Sequence, residues 1–494
     1  MKSQNSQILK SISIFGGLQL FLMIINLVKI KTVALFIGVG GVAHFTMFNN
    51  ILNLIVQFSF FGLNFSAVRS ISLSFEQNRI EDLTKTNSIF RTLTIICGIF
   101  GLLITLAGSS LISNLSFDSD KETYSIMILA IAVLFTVFFN GNTALLQGVQ
   151  QLKYMAKSSF FSALFGIIIS VPLFYYFKLQ GIIYSILITA ILSYGFSYVF
   201  VRKTGFKIKY FSIGTIWQEG NIMIKLGAVM MASTLIGTIV VYSINVFILK
   251  TGSVEDLGLF SAGNSITNQY VGLIFTAMAA DYFPKLSAIS NDITAVNNMV
   301  NNQGEILLII VCPILLLLIS FSPLVIQILL SEKFLAITTF IGIMSVAMIF
   351  KTAAFPIGYI SFAKGDKKTF FLFEGILNSI LILVAHTVGF FLYGLTGIAI
   401  GVLLLYFTYF VLVNILAKRK YGFVISKKYL IILLVSFTLL SLGLLNFILV
   451  SSSLRFYLAI PIVLFSIYYS YRIMDEKIAL KDFILNKLNI YRNS

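Results

Sequence analysis

The sequence predicts an all-α polytopic membrane protein of about 14 transmembrane helices. Of its 494 residues 58% are hydrophobic and only 11% are charged, with a mean hydropathy of +0.97, whereas soluble domains carry roughly 25% charged residues. The apolar residues come in continuous runs of about 20 or more, the length a helix needs to cross a ~30 Å hydrocarbon core. Outer-membrane strands would instead alternate apolar with polar. The links between runs alternate between rich and poor in lysine and arginine, as the loops of a multi-pass protein do.

The first run, residues 11–37, is interrupted by Lys29 and Lys31 and carries no Asp or Glu. A charge at that depth costs several kcal/mol, so it faces a water-filled cavity, a partner or an anionic ligand. Two residues apart on a helix, the two lysines point about 200° apart. Lys29 is expected to face an interior path and Lys31 to compete for that role or snorkel to the outer interface.

The second run, 43–72, begins at His44, carries Asn49, Asn50, Asn53, Gln57 and Asn64, and has Arg69 near its end. The third, 89–113, opens near Arg91, and the fourth is 124–149. Runs five and six, 156–177 and 180–201, are joined by only Lys178-Leu179-Gln180 and must form a tight antiparallel hairpin. Run seven, 221–249, begins with Lys225; run eight, 258–283, carries Asn264, Asn268 and Gln269 and ends at Asp281. Run nine is 303–330, and run ten, 336–360, holds Lys351 five residues before Pro356. Helix breaks at proline accompany transporter sites. Runs eleven and twelve, 369–392 and 394–416, meet at Tyr393-Gly394 in a second hairpin, with Glu374 and His386 on the first arm. Runs 429–450 and 454–473 complete the set.

With the N-terminus inside, the inside segments carry 23 basic residues and the outside loops only Lys121, Lys178, Lys250, Lys333 and Arg455. Both termini are therefore expected in the cytoplasm. The longest outside loop, residues 114–123, is too short for an extracytoplasmic catalytic domain.

An internal repeat is visible. Lys157-Ser-Ser-Phe-Phe161 corresponds to Lys367-Lys-Thr-Phe-Phe371, Leu179-Gln-Gly-Ile182 to Leu395-Thr-Gly-Ile398, and Arg202-Lys-Thr-Gly-Phe206 to Arg419-Lys-Tyr-Gly-Phe423. Three units are expected: a six-helix lobe over 1–210, a second over 211–423, and two extra helices with a basic cytoplasmic tail over 424–494. Six helices per copy place both copies in one orientation about an axis along the membrane normal.

Several classes are excluded. The net charge of +17 follows from the inside loops and does not imply nucleic acid. Cys97 and Cys312 lie in apolar runs with no metal-ligand spacing, so no metal or cofactor is expected. Gly38-Val-Gly-Gly-Val-Ala43 matches a dinucleotide fingerprint but follows a membrane helix rather than a strand. No catalytic constellation is present, so a transporter is expected rather than an enzyme.

Ala34-Leu35-Phe36-Ile37-Gly38 with Gly41-Val42, Gly62-Leu63-Asn64 with Arg69, and Ala280-Asp-Tyr-Phe-Pro-Lys-Leu-Ser287 give the chain a likeness that spans essentially its whole length. It resembles the multidrug/oligosaccharidyl-lipid/polysaccharide (MOP) flippase superfamily, specifically its Wzx-type O-antigen translocase branch. The resemblance implies two six-helix lobes around a central cavity open alternately to either side. It implies a bacterial inner-membrane location and a polyprenyl-diphosphate-linked glycan, such as a lipopolysaccharide repeat unit, as substrate. Membrane lipids and polysaccharide polymerase or assembly proteins would be the partners.

A cationic cavity drawn from Lys29, Lys31, Lys225, Lys351 and Arg69 would replace water around the diphosphate. Asn53, Gln57, Asn264, Asn268 and Gln269 would offer a polar path for sugar, and His386 and Asp281 are the candidates for coupling. Asp281 and Glu374 are each expected to pair with a neighbouring basic residue. Two alternatives stay open: a multidrug cation antiporter of the same superfamily, and a membrane glycan polymerase or ligase. The first would need cavity carboxylates that the early helices lack, and the second a large outside loop.

Overall fold

A computed structural model describes residues 2–76, 80–205, 213–450 and 452–478. They form helices and turns with no strand among them. The chain divides into two compact units, Met1–Ser261 with Leu329–Lys333, and Ala262–Ile328 with Phe334–Ser494.

The first unit contains α1 (Lys2–Phe36), α2 (Val39–Ser59), α3 (Leu63–Glu76), α4 (Ile80–Ala107), α5 (Ser109–Phe117), α6 (Thr123–Gly148), α7 (Leu152–Arg202), α8 (Ile213–Thr251) and the start of α9 (Val254–Ala288). The second contains the rest of α9 and then α10 (Ile293–Ser320), α11 (Ser322–Leu329), α12 (Thr338–Ala363), α13 (Lys367–Phe370), α14 (Asn378–Tyr421), α15 (Lys427–Leu449) and α16 (Ser452–Ile478). Among the described residues, 11 helical stretches are long and apolar enough to cross a membrane. Two of them, α7 and the stretch ending in α14, are hairpins and count as two crossings each. The total is close to the about 14 crossings expected from sequence.

The hairpins form where the short links place them. Lys178 leaves the helical region in α7 (φ 50°, ψ −123°), and Tyr393 and Gly394 do so in α14. The repeat has a physical counterpart here. Gly181 and Gly397 occupy equivalent places just after each bend, and a Cβ there would fall 2.1 Å from the Leu173 carbonyl oxygen and 1.9 Å from that of Gly389. Only glycine lets the returning arm lie on the backbone of the outgoing one.

Three runs read as single spans are interrupted. The run 43–72 breaks into α2 and α3 at Phe61 and Gly62, both with positive φ. There a Cβ on Gly62 would sit 2.1 Å from the Gly227 carbonyl oxygen of α8. The run 303–330 breaks at Phe321 into α10 and α11. Run eleven opens as the short α13 followed by a π-helical turn, Phe371–Leu377. The outside loop 114–123 is itself largely α5 and a 3₁₀ turn over Asp120–Glu122.

In the second unit α12 is central and apolar almost all round, with Phe340 through Phe350 buried without exception. Its partners include Leu308 and Leu315 of α10, Tyr429 and Leu440 of α15, and Phe410 of α14. Two buried tyrosines bracket Pro356: Tyr282 Oη donates to the Pro356 carbonyl (2.9 Å) and Tyr429 Oη to that of Ala353 (2.6 Å). They add donors to helix carbonyls near the proline, while the carbonyl that Pro356 itself leaves without an N–H is that of Thr352, four residues earlier.

Candidate substrate-binding site

In the first unit α1 brings Lys29 against α7 and α2. Its ammonium donates to Thr189 Oγ1 (3.4 Å) and lies 5.8 Å from the centre of the Phe45 ring. No carboxylate among the described residues lies within ion-pair reach of it. The side chain is half-buried. A cation held by one hydroxyl and one ring face keeps donor capacity for an anion. Lys31 is also half-buried, whereas Arg69 on α3 and Lys225 on α8 are exposed.

On the same unit the polar residues of α2 converge. Asn50, Asn53 and Gln57 line a cavity of about 690 Å³ together with Asn64, Asn140, Thr234 and Thr238. Thr238 Oγ1 donates to Gln57 Oε1 at 2.5 Å. A second cavity of about 300 Å³ shares Asn64 and Asn140 and adds Thr143 and Gln147. Neither lining contains a charged side chain. Amides and hydroxyls that both donate and accept suit the hydroxyls of a sugar, and the larger volume falls within the ~300–1,000 Å³ typical of ligand pockets.

In the second unit three predicted residues form one chain. Lys351 Nζ donates to Asn268 Oδ1 (3.3 Å), and Asn268 Nδ2 donates to Asn264 Oδ1 (2.5 Å). Lys351 also lies 5.3 Å from the Tyr406 ring centre and lines a cavity of about 280 Å³ with Tyr359, Glu374, Asn378 and Tyr409. Glu374 corrects an expectation. Its carboxylate accepts a hydrogen bond from Tyr409 and has no basic residue in ion-pair reach among the described residues. It sits on the π-helical turn opposite Gly358, where a Cβ would fall 2.5 Å from its Oε1. π-Helical turns occur frequently at functional sites. Sequence order alone could not show that this acid shares a cavity with Lys351.

The remaining candidates lie elsewhere. Gln269 is half-buried, and His386 bonds the Ile382 carbonyl of its own helix through Nδ1 (2.7 Å). The Asp281 side chain falls outside the described residues. His44 pairs with Glu122 (3.6 Å) beneath Phe117. No group of three or more His, Cys, Asp or Glu that could hold a metal occurs among the described residues.

Residues 38–339 match the sequence model of the polysaccharide biosynthesis protein family. The chain belongs to that family. Solved structures add the fold of this polysaccharide biosynthesis protein. The lipid II flippase MurJ in an inward closed conformation is similar at a TM-score of 0.72 and 17% identity, with 94% of this chain and 99% of that one covered. An inward-facing multidrug resistance MATE family transporter of the MOP superfamily is similar at a TM-score of 0.66 and 13% identity, covering 82% and 94%. A MOP superfamily transporter from Pyrococcus furiosus, described as having a binding pocket of reverse polarity, is similar at 0.58 and 14%, covering 84% and 96%. No curated protein matches the sequence. The protein is an integral multi-pass membrane protein with a fold like those of the lipid II flippase MurJ and the MATE family transporter.

Proposed function

We propose that this protein is a flippase that carries a polyprenyl-diphosphate-linked oligosaccharide, an O-antigen or related surface-polysaccharide repeat unit, from the cytoplasmic to the outer leaflet of a bacterial inner membrane. The observation that carries the reading is Lys29, an intramembrane cation whose partners are a hydroxyl and an aromatic ring. An ammonium so placed can replace the water around a diphosphate, while the amide-lined cavity accepts sugar hydroxyls. Family membership and the lipid II flippase among the similar structures support it. Translocation proceeds by alternating access, with the prenyl chain remaining in lipid. Under this reading the lobes are 1–210 and 211–423, both termini are cytoplasmic, and Lys31, Lys351, Lys225 and Arg69 mark further stations for the anion.

A second reading, export of cationic compounds, is favoured by one observation: Glu374 sits with three tyrosines, Tyr359, Tyr406 and Tyr409, in the Lys351 cavity. Expression in a strain lacking its own flippase for a lipid-linked surface glycan separates the two. Restored surface glycan with unchanged tolerance to cationic dyes is the expected result. Raised dye tolerance with no glycan restored would move the assignment to the second reading.

A further inference from the structure

Arg91 belongs to neither of the sites above. It lies on α4, inside an apolar helix, and its side chain is half-buried. No carboxylate among the described residues is within ion-pair reach of it; its electrostatic neighbours are the phenols of Tyr194 and Tyr198 on the returning arm of α7. These groups open on a cavity of about 360 Å³ between α4, α6 and α7, whose other walls include Ile95, Phe138 and Leu145. Glycine makes the room. A Cβ on Gly141 would meet Thr94 at 2.6 Å, and one on Gly98 would meet the Phe138 ring at 2.7 Å, so α4 and α6 approach closely along the cavity wall.

The three helices agree on which end of the membrane this is. Arg91 follows the start of α4, Asn142 lies near the end of α6, and Tyr198 lies one turn from Arg202 at the end of α7. The Arg202 guanidinium stacks 5.0 Å from the Tyr198 ring centre. That is the end the charge distribution puts in the cytoplasm. A planar guanidinium with two phenol donors matches phosphate oxygens bidentately. The apolar walls match a hydrocarbon chain rather than a free ion, and basic pockets between membrane helices on this side hold anionic head groups.

We propose that this cavity binds the phosphate group of an anionic membrane lipid of the inner leaflet, Arg91 clasping the phosphate, Tyr194 and Tyr198 donating to it, and the acyl chain lying along Ile95 and Phe138. The site is separate from the transport path proposed above, and its test contains no transport step.

The full-length protein, delipidated in detergent, is titrated with phosphatidylglycerol, phosphatidylcholine or inorganic phosphate, and adducts are counted by native mass spectrometry. Phosphatidylglycerol should bind at least about tenfold tighter than phosphatidylcholine, which carries the same phosphate but whose quaternary ammonium cancels its charge and is repelled by Arg91. Arg91→Gln should remove that difference, Arg91→Lys should restore part of it, and Lys418→Gln, an exposed control, should leave it intact. Should Arg91→Gln fail to fold, the Tyr194→Phe/Tyr198→Phe pair decides by a several-fold loss or none. Phosphatidylglycerol retained within twofold by Arg91→Gln would overturn the proposal. So would equal binding of phosphatidylcholine, a matching loss from Lys418→Gln, or inorganic phosphate binding as tightly as the lipid.

Discussion

Replacing Lys477 by methionine should release α16 from the second unit. The Lys477 ammonium lies 2.7 Å from Glu305 Oε2 and 2.8 Å from Asn302 Oδ1, and Ser426 Oγ donates to Glu305 Oε1 at 3.0 Å. The two side chains are only 12% and 5% exposed. Removing one member of a buried pair strands the other charge, at about 3–5 kcal/mol. Glu305→Gln keeps the shape and an acceptor for Ser426, and leaves Lys477 its amide partner, so about 1–3 kcal/mol is expected. The double variant should recover part of the loss, since the two effects are coupled. Cys312 provides the readout. Its Sγ lies 3.7 Å from Ser466 Oγ on α16 and 3.9 Å from the Ser436 carbonyl on α15, so a maleimide reaches it only when these helices part. With Cys97→Ala making Cys312 the sole thiol, Lys477→Met should raise the labelling rate about a hundredfold or more, which is the kinetic equivalent of ~3 kcal/mol. A rate within about threefold of the parent, that is, under ~0.7 kcal/mol, would refute this account of how α16 is held.

Two further predictions concern the hairpins and the cap of α13. Gly397→Val should abolish accumulation of folded protein, because its Cβ would fall 1.9 Å from a backbone oxygen, whereas Gly195→Ala, with nothing within 4 Å, should change the thermal midpoint little or raise it. Immunoblots of membranes and melting curves of the purified variants distinguish them. Asp366 caps α13 and pairs with Lys420 at 2.5 Å. That ammonium and the Thr369 N–H hold its carboxyl well below the usual carboxylate range. A lowered folded-state pKa contributes stability that is full above the unfolded value near ~3.9 and fades as pH falls through the folded one. Asp366→Asn should therefore lower stability by about 1 kcal/mol or less, as for a partly exposed pair. The deficit should stay constant from neutral pH down to mildly acidic pH and shrink under strongly acidic conditions, as melting curves across that range would register.

The sequence disclosed the fold through features that are local. Apolar runs mark crossings, and short links such as Lys178-Leu179-Gln180 can only be bends. The breaks at Gly62 and Phe321 fall inside long runs that read as single spans, although Ser320, Ser322 and Pro323 around Phe321 are residue types that end and start helices. At Gly62 the cause is the close approach of Gly227, far away in the chain. The candidate site divides in the same way. Lys29 and Lys351 stand out because a charge is costly in an apolar run, yet their partners Thr189 and Asn268 are 160 and 83 residues distant. In the sequence, Glu374 and Arg91 look like ordinary interface residues. What distinguishes them is that no counter-ion reaches them among the described residues, a property of neighbours brought together only by folding.

The most direct test of the proposed transport function is surface-glycan export by Lys29→Ala and Lys29→Arg compared with the parent at matched membrane levels, in a host whose own flippase has been deleted. The account predicts that alanine abolishes export and arginine, which keeps the charge, retains it. Export by Lys29→Ala equal to that of the parent would contradict it.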